Sequence, residues 1–183
     1  MTTEKLIVSK KRVVDFGEVY TPLGIVKDMV NLVDKEVRKI ESKVLEPSCG
    51  KGIFLIEILK RKIQTILQSN LNNRGDFILK ALSSLYGVDI LKDNIEYTRN
   101  QLLETVSEYL DDTQLNHAKK ILLANIIQGN TLEMKDDKGK DIIFYDWLIE
   151  NGNISYIGTY FKDMLYEQPL CVCKKSKNKD KKM

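Results

Sequence analysis

A glycine-rich segment in the first third of the chain has the residue types of a ligand-binding loop. Residues 47–52 read Pro-Ser-Cys-Gly-Lys-Gly and follow Lys-Val-Leu-Glu at residues 43–46, which is expected to form a short buried strand. Gly50 and Gly52 have no side chain, so a ligand can approach the backbone there. A strongly apolar helix that begins near Ile53 would point its free amides at the same place, and these amides favour an anion such as a carboxylate or a phosphate.

The spacing of these glycines argues against two common nucleotide-binding loops. A P-loop has the pattern Gly-x-x-x-x-Gly-Lys-Ser/Thr, but here Lys51 is followed by Gly52. A dinucleotide fingerprint has Gly-x-Gly-x-x-Gly, but Leu55 occupies the position of its third glycine. Asp89, the acid that ends the next apolar run, also lies well beyond the roughly 20 residues of that fingerprint. NAD is therefore a poor candidate ligand.

The elements that position this loop alternate between helices and short apolar strands. Apolar residues at helical spacing predict helices over residues 22–37, 53–67, 76–84, 93–110 and 114–123. Strands are expected at residues 43–46, 85–90 and 125–128, and residues 142–149 fit a fourth strand or an edge hairpin. Thr21 and Pro22 suit the cap and the first position of the first helix. This alternation predicts a doubly wound parallel α/β sheet, which binds ligands beyond the carboxyl ends of its strands.

Length and charge indicate one domain with a cationic end. The chain has 183 residues, 43% of them hydrophobic, which predicts a globular domain over residues 1–170 with an arm of mixed charge at residues 1–16. The net charge is +3, but residues 174–183 carry +5, which leaves −2 for the rest. Residues 171–183 are expected to form a basic, disordered tail, which we interpret as a solvated end in preference to a DNA clamp.

The cysteine, histidine and hydropathy patterns argue against several classes of protein. Three cysteines at these positions do not form a disulfide framework, which favours a reducing compartment. The single histidine, His117, and the lack of paired Cys-x-x-Cys motifs argue against a metal site. No N-terminal apolar segment fits a signal peptide, and no run of about 18 apolar residues fits a membrane span. We therefore expect a cytoplasmic protein without a metal or a membrane partner.

Four segments occur in an order that is found in one enzyme family. They are FGEVYTP at residues 16–22, VLEPSCGKGIFL at 44–55, YGVDI at 86–90 and IIQGNTL at 126–132. Together they resemble the adenine-N6 DNA amino-methyltransferases of the gamma motif order, which include modification subunits of restriction systems. The resemblance implies the Rossmann-like fold of S-adenosylmethionine-dependent methyltransferases, here incomplete, and methyl transfer to a base flipped out of DNA.

The resemblance implies that one end of the site holds the methionine part of S-adenosylmethionine. Contacts would come from Tyr20, Thr21 and Pro22, and the floor would be formed by Cys49, Gly50 and Gly52. Glu46 stands where the family usually has aspartate, and it would hold the methionine amino group directly or through water. The plainer alternatives are a strand-end acid for Glu46, a helix start for residues 20–22, and a small packing residue for Cys49. No histidine lies near Cys49 in sequence to activate it as a nucleophile.

The other end of the site is expected to hold the adenosine part. Asp89 would accept hydrogen bonds from the two ribose hydroxyls, and Ile90 would pack on the adenine ring. Asn130 stands where the family often has aspartate, and it would bind the exocyclic amine of adenine. The plainer alternatives are a helix cap for Asp89 and a turn residue for Asn130, because Gly-Asn is a common turn pair.

The family's catalytic motif, Asn/Asp-Pro-Pro-Tyr/Phe, is missing from this sequence. The three prolines are Pro22, Pro47 and Pro169, and no two are adjacent. A forced alignment puts Asn151 at the polar position but Ile154 at the aromatic one, which is a poor match. The isolated chain is therefore expected not to methylate DNA.

Three explanations of the missing motif stay open. The chain is a fragment or split subunit, a reduced cofactor-binding relative without methylation activity, or an enzyme with a different catalytic site. The first two are preferred, and DNA is then the expected partner, together with another subunit or a missing C-terminal part. The competing class is a non-catalytic S-adenosylmethionine-binding regulatory or assembly subunit. A methyltransferase for protein or RNA is less favoured, because Tyr-Thr-Pro ahead of the glycine loop is typical of the DNA-modifying group.

Overall fold

Three parallel strands form the centre of the fold. The computed structural model describes residues 9–165 and 171–172. The strands lie in the order β1 (Val44–Glu46), β2 (Leu85–Asp89), β3 (Ile126–Asn130) and β4 (Lys135–Asp136), and only the last pair is antiparallel. The expected α/β class with a mainly parallel sheet is confirmed. Within the part of the chain that is described, β1 is an edge strand of this sheet, and Leu45 is exposed, so the expectation of a buried strand was wrong.

Helices connect the strands and cover the sheet. They are α1 (Lys10–Phe16), α2 (Leu23–Leu32), α3 (Asp34–Val37), α4 (Ile53–Gln68), α5 (Arg74–Ser83), α6 (Lys92–Ser107), α7 (Asp112–Asn125) and α8 (Phe161–Leu165). The four helices from α4 to α7 lie where apolar spacing predicted them. Residues 10–16, expected only as part of an arm, form a helix because Ser9 caps it by accepting a hydrogen bond from the Arg12 amide. No described helix is long and apolar enough to span a membrane.

In the structure, the first predicted helix begins one residue later than expected and is divided into two helices. Pro22 is the N-cap of α2, because its extended ψ of 141° lies outside the helical region, and no side chain caps the helix. Thr21 is therefore not the cap, and that prediction was wrong. The helix also breaks after Leu32 before α3 begins. Of the predicted apolar face, Val26 is buried against the core but Met29 is half exposed.

A buried lysine fixes the segment that leads into β1. The Lys62 side chain of α4 is fully buried, and its Nζ donates to the Ile40 carbonyl at 3.0 Å, the Ser42 carbonyl at 2.6 Å and Ser84 Oγ at 2.7 Å. All three donors of the ammonium group are thereby satisfied. Burial nevertheless lowers the pKa of Lys62 to about 8, because the interior disfavours the charged form. The contact holds α4, the approach to β1 and the start of β2 together.

Residues 142–149 belong to a hairpin, one of the two alternatives expected for them. Strands β5 (Ile143–Glu150) and β6 (Asn153–Tyr160) pair antiparallel around a two-residue turn, and β7 (Cys171–Val172) pairs with β6. The turn residues Asn151 and Gly152 have φ values of 50° and 76°, as an Asn-Gly hairpin turn requires. The turn therefore explains Asn151, and this geometry does not favour it as a catalytic residue. Of the disordered tail predicted at residues 171–183, residues 171–172 form β7, and residues 173–183 lie outside the described part of the chain.

Candidate functional site

The glycine loop joins the carboxyl end of β1 to the first turn of α4. Gly50 and Gly52 have φ values of 51° and 68°, in the left-handed region that favours glycine. A Cβ at position 52 would lie 2.4 Å from Thr98 Cγ2, whereas at position 50 the nearest atom is a Tyr20 ring carbon at 3.9 Å. Gly52 is the N-cap of α4, and no side chain caps that helix. The first amides of α4 are therefore available to an anionic group.

Asp89 fastens this loop to the end of β2. Its Oδ2 accepts a hydrogen bond from the Gly50 amide at 2.8 Å, and its Oδ1 accepts from the Leu91 amide at 2.8 Å and from Asn94 Nδ2 at 3.3 Å. A carboxylate offers about four lone-pair positions, so protein donors already use three of them. The remaining position, on Oδ2, is able to accept one more hydrogen bond. Leu91 is the N-cap residue of α6 and no side chain caps that helix, so the helix-cap alternative for Asp89 was wrong.

Glu46 is a carboxylate without a partner among the described residues. It ends β1 and is half buried, and its side chain makes no hydrogen bond or ion pair with any described residue. Burial raises its pKa, because the charged form loses hydration that no protein group replaces. A group of this kind is stabilised by a ligand that brings a positive charge.

Cys49 lies between the two acids and packs against the sheet. Its side chain is only 7% exposed, and a Cβ at Gly87 in β2 would lie 3.2 Å from its Sγ. Burial, with the negative charges of Asp89 and Glu46, raises the pKa of the thiol to about 12. A thiol with this pKa does not form the thiolate that a nucleophile needs at neutral pH. The structure therefore agrees with the packing interpretation of Cys49.

A buried polar network behind Asp89 was not predicted from the sequence. Glu18 Oε1 accepts hydrogen bonds from Arg12 Nη2 at 2.7 Å, from Asn94 Nδ2 at 2.7 Å and from the Tyr20 hydroxyl at 3.1 Å. Burial opposes ionisation of Glu18, but these hydrogen bonds and the charge of Arg12 outweigh it and lower its pKa. Asn94 is 2% exposed and also donates to Asp89, so it connects the two acids. Glu18 belongs to the segment FGEVYTP, but neither its type nor its spacing indicated a contact with residues 76 positions away.

The same network brings Tyr20 to the glycine loop. The Tyr20 hydroxyl is held by Glu18, and Lys51 Nζ lies 4.7 Å from the centre of the Tyr20 ring, in a cation–π arrangement. Burial, together with the charge of Glu18, raises the pKa of the Tyr20 hydroxyl. Thr21 and Pro22 follow as half-buried residues at the start of α2. The segment 20–22 thus lies next to the loop, although Lys51 was not among the predicted site residues.

The residues expected at the adenosine end follow two neighbouring strands. Ile90 comes directly after β2 and is 50% exposed, as a free apolar surface for a ring would be. Asn130 ends β3, and its Oδ1 accepts hydrogen bonds from the Leu132 amide at 3.0 Å and the Glu133 amide at 3.3 Å. This is the turn geometry that the alternative interpretation expected, and it occupies the oxygen that would otherwise bind an amine. The Asn130 amide nitrogen makes no hydrogen bond with a described residue.

A sequence profile described as N-6 DNA Methylase matches residues 8–138, well over half of the chain. The chain belongs to the N-6 DNA methylase family. A 41-residue segment is 54% identical to the Type I restriction enzyme MjaVII methylase subunit of Methanocaldococcus jannaschii. That segment covers 22% of this chain and 7% of the relative, so the match spans a small part of a much longer protein. No solved structure matches this chain.

The match to the N-6 DNA methylase family includes every residue described above from Arg12 to Asn130. It confirms the family that the four motif segments indicated. A large cavity lies elsewhere in this N-6 methylase chain. It has a volume of about 1240 Å³ and lies between α7 and the β5–β6 hairpin, and none of the predicted site residues lines it.

Proposed function

We propose that this chain is the S-adenosylmethionine-binding half of a DNA adenine-N6 methyltransferase with a Rossmann-like fold. The proposal rests on two features found close together. Glu46 is a carboxylate without a partner among the described residues, and the amide end of α4 has no side-chain cap. These two features lie at opposite ends of the short loop that contains Gly50. An amino acid carries one ammonium and one carboxylate, and each of these groups finds its opposite charge here.

The same pairing favours a methionine-containing ligand over a purely phosphorylated one. A phosphate would suit the amide end of α4, but it would meet repulsion from Glu46. At the other end, the free lone-pair position of Asp89 would accept one ribose hydroxyl and the exposed Ile90 would pack on adenine. Because Asn130 Oδ1 is used in its own turn, Asn130 would contact adenine through its amide nitrogen. When bound, S-adenosylmethionine supplies a methyl group attached to a positively charged sulfur.

Arg12, Glu18 and Asn94 would hold the acid that binds ribose. Asn94 Nδ2 donates to both Glu18 and Asp89, and Arg12 balances the charge of Glu18. Two carboxylates this close repel each other unless donors separate them. The residues of FGEVYTP would thereby contribute to the cofactor site through support of Asp89 as well as through Tyr20.

The target base would be held by residues outside this sequence. The 183 residues contain no adjacent prolines, so they lack the motif whose polar side chain and aromatic ring hold a flipped adenine in the family. We therefore propose a restriction-modification role in which another polypeptide segment completes the catalytic site and contacts DNA. The missing motif also favours a second candidate, a non-catalytic subunit that binds S-adenosylmethionine for regulation or assembly.

Calorimetry with purified chain tests the cofactor assignment. We expect S-adenosylmethionine and S-adenosylhomocysteine to bind, and NAD and ATP to bind much more weakly. Glu46→Gln should weaken binding by roughly 1.5–3 kcal/mol, the scale of hydrogen bonds to charged groups. Glu41→Gln, which removes an exposed acid just before β1, is the matched control and should bind normally. Equal affinity for NAD, or unchanged affinity in Glu46→Gln, would show that the ligand is different or lies elsewhere.

A further inference from the structure

The large cavity between α7 and the β5–β6 hairpin has an aromatic wall. Alternation along the hairpin puts Tyr145, Trp147, Tyr156 and Tyr160 on one face, with Trp147 directly opposite Tyr156. The ring centres of Trp147 and Tyr156 are 5.0 Å apart, and those of Tyr145 and Tyr156 are 5.2 Å apart. Trp147 Nε1 donates to Asn125 Oδ1 at 3.0 Å, which fixes the indole against the end of α7. The wall is therefore an ordered aromatic cluster, in which the Tyr156 ring lies at 53° to Trp147 and at 90° to Tyr145.

The opposite side of the cavity carries positive charge that the protein does not neutralise. Lys120 of α7 and Lys140 are exposed, and neither ammonium group has a hydrogen bond or ion pair within the described residues. The acids that line the same space are already engaged. Asp141 is paired with Lys135 at 2.6 Å, and Asp136 Oδ1 accepts hydrogen bonds from two backbone amides of its own turn. Asp136 keeps its negative charge, but Lys120 and Lys140 outnumber it once Lys135 and Asp141 are counted as a pair, so the lining carries a net positive charge. The cavity thus presents clustered aromatic rings and two exposed lysines, Lys120 and Lys140, in one place.

We propose that this cavity binds a short stretch of single-stranded DNA. Bases would stack on the wall formed by Trp147 and Tyr156, and phosphates would lie near Lys120 and Lys140. Aromatic platforms beside cationic side chains are how proteins hold unpaired strands. The volume of about 1240 Å³ exceeds the usual range of small-molecule pockets, which favours more than one nucleotide. A duplex would not fit the arrangement, because its bases are already stacked on one another.

The charge of the cavity favours a nucleic acid over an apolar protein segment. An apolar segment would not interact favourably with Lys120 and Lys140. An acidic segment would interact with the lysines but would not stack on the four aromatic rings. The site is separate from the loop near Asp89, and its occupation does not depend on the proposed cofactor. It would give a methylase half its own contact with an opened DNA strand.

The sole tryptophan of the chain supplies a direct reporter, because Trp147 lies in the wall. A fluorescein-labelled oligothymidylate of about 12 nucleotides, within the range of known single-strand sites, is added to the full chain. Binding is followed by anisotropy and by quenching of Trp147 fluorescence. We expect saturable binding with quenching that follows the same curve, and weaker binding of a duplex of equal length.

Variants distinguish binding in the cavity from binding by the lysine-rich residues 174–183. Every variant keeps residues 174–183. Lys120→Gln together with Lys140→Gln, and separately Tyr156→Leu, should each weaken binding by roughly tenfold. Lys119→Gln is the matched control, because Lys119 is exposed on the same helix but does not line the cavity. Circular dichroism confirms that each variant is folded. Binding without quenching, or equal affinity in the cavity variants and the Lys119→Gln control, would assign the contact to other lysines and overturn the proposal. Failure of the oligothymidylate to bind would overturn it as well, and would leave an acidic protein segment as the occupant to test.

Discussion

The backbone amide of Gly50 donates a 2.8 Å hydrogen bond to Oδ2 of Asp89. This bond connects the loop that follows β1 to the last residue of β2. The sequence suggested Asp89 only as a ligand contact or a helix cap. The structure shows that it also holds the glycine loop, and three of its lone-pair positions are used inside the protein. Asp89 would therefore couple the geometry of the glycine loop to the proposed binding of the cofactor.

Replacement of Asp89 should destabilise the protein even without a ligand. Asp89→Ala leaves the amides of Gly50 and Leu91 without their acceptor, and we expect a loss of roughly 2–3 kcal/mol in the free energy of unfolding. Urea denaturation of the unliganded protein measures this. Glu46→Gln is the matched comparison, because Glu46 has no described partner to lose, and it should change stability by less than about 0.5 kcal/mol. Equal stability of Asp89→Ala and the wild type would contradict the structural role of Asp89.

Substitution by alanine should reduce the stability of the protein by different amounts at the two loop glycines. Gly50→Ala meets no close atom, so its cost is that of a left-handed alanine, about 1–2 kcal/mol. Gly52→Ala carries the same backbone cost and also collides with Thr98, 2.4 Å away, so it should be clearly more destabilising. Thermal or urea unfolding of both variants shows which substitution lowers the stability more.

A second-site change identifies the source of the Gly52→Ala effect. Thr98→Ser removes the methyl group that the new Cβ would meet, while it keeps the hydroxyl that donates to the Gly50 carbonyl at 3.1 Å. We expect partial recovery in the double variant. If Gly50→Ala proves as damaging as Gly52→Ala, or Thr98→Ser restores nothing, the steric explanation fails.

Sequence patterns predicted the regular elements well and the polar contacts poorly. Helices α4 to α7 and the three parallel strands followed from apolar spacing, because burial against a sheet imposes that spacing directly. Pro22 was assigned to the first helical position but is the N-cap, because proline's fixed φ suits either place while ψ is set by the chain around it. Residues 142–149 remained ambiguous, since a half-buried hairpin strand and an edge strand share one pattern.

The contacts that sequence reasoning missed are those between distant residues. Asn94 and Glu18 lie 76 positions apart, and neither has a periodicity or a neighbour that indicates the other. The positions of Glu46 and Asp89 at strand ends were readable, because parallel strands present their carboxyl ends at one edge. That Glu46 has no partner among the described residues while Asp89 is nearly saturated depends on side-chain geometry, which spacing does not encode.

The buried Lys62 should make stability depend on pH in an alkaline window. Its pKa is about 8 in the folded protein and near 10.5 when unfolded, so between these values the unfolded chain binds more protons. The free energy of unfolding should therefore rise with pH across that window, on the order of 3 kcal/mol from this group. Lys62→Met has no titrating group at this position, although it also removes the Lys62 hydrogen bonds to the Ile40 and Ser42 carbonyls at every pH. The informative quantity is thus the slope, and parallel profiles for the two proteins between pH 8 and 10 would contradict the prediction.

The isolated chain should bind S-adenosylmethionine without methylating DNA. Two features of the sequence motivate this: it has no Pro-Pro pair to position a flipped base, and its first 173 residues carry a net charge of −2. Duplex binding normally depends on many lysine or arginine contacts to phosphate. Contacts from the lysine-rich residues 174–183, or from the cavity at Trp147, would bring DNA near without placing an adenine beside the cofactor.

Purified chain, tritiated S-adenosylmethionine and mixed-sequence DNA provide the assay, with calorimetry in parallel to show that the cofactor is bound. We expect no label in adenine above the level of an Asp89→Ala control. Addition of a separately expressed methylase segment that carries Asn-Pro-Pro-Tyr distinguishes the two proposed roles, because a split enzyme gains activity and a regulatory subunit does not. Sustained label transfer by the chain alone, lost in Asp89→Ala, would contradict the prediction. A catalytic group would then have to be sought among residues near the carboxyl ends of β1 and β2, since Asn151 is committed to the hairpin turn.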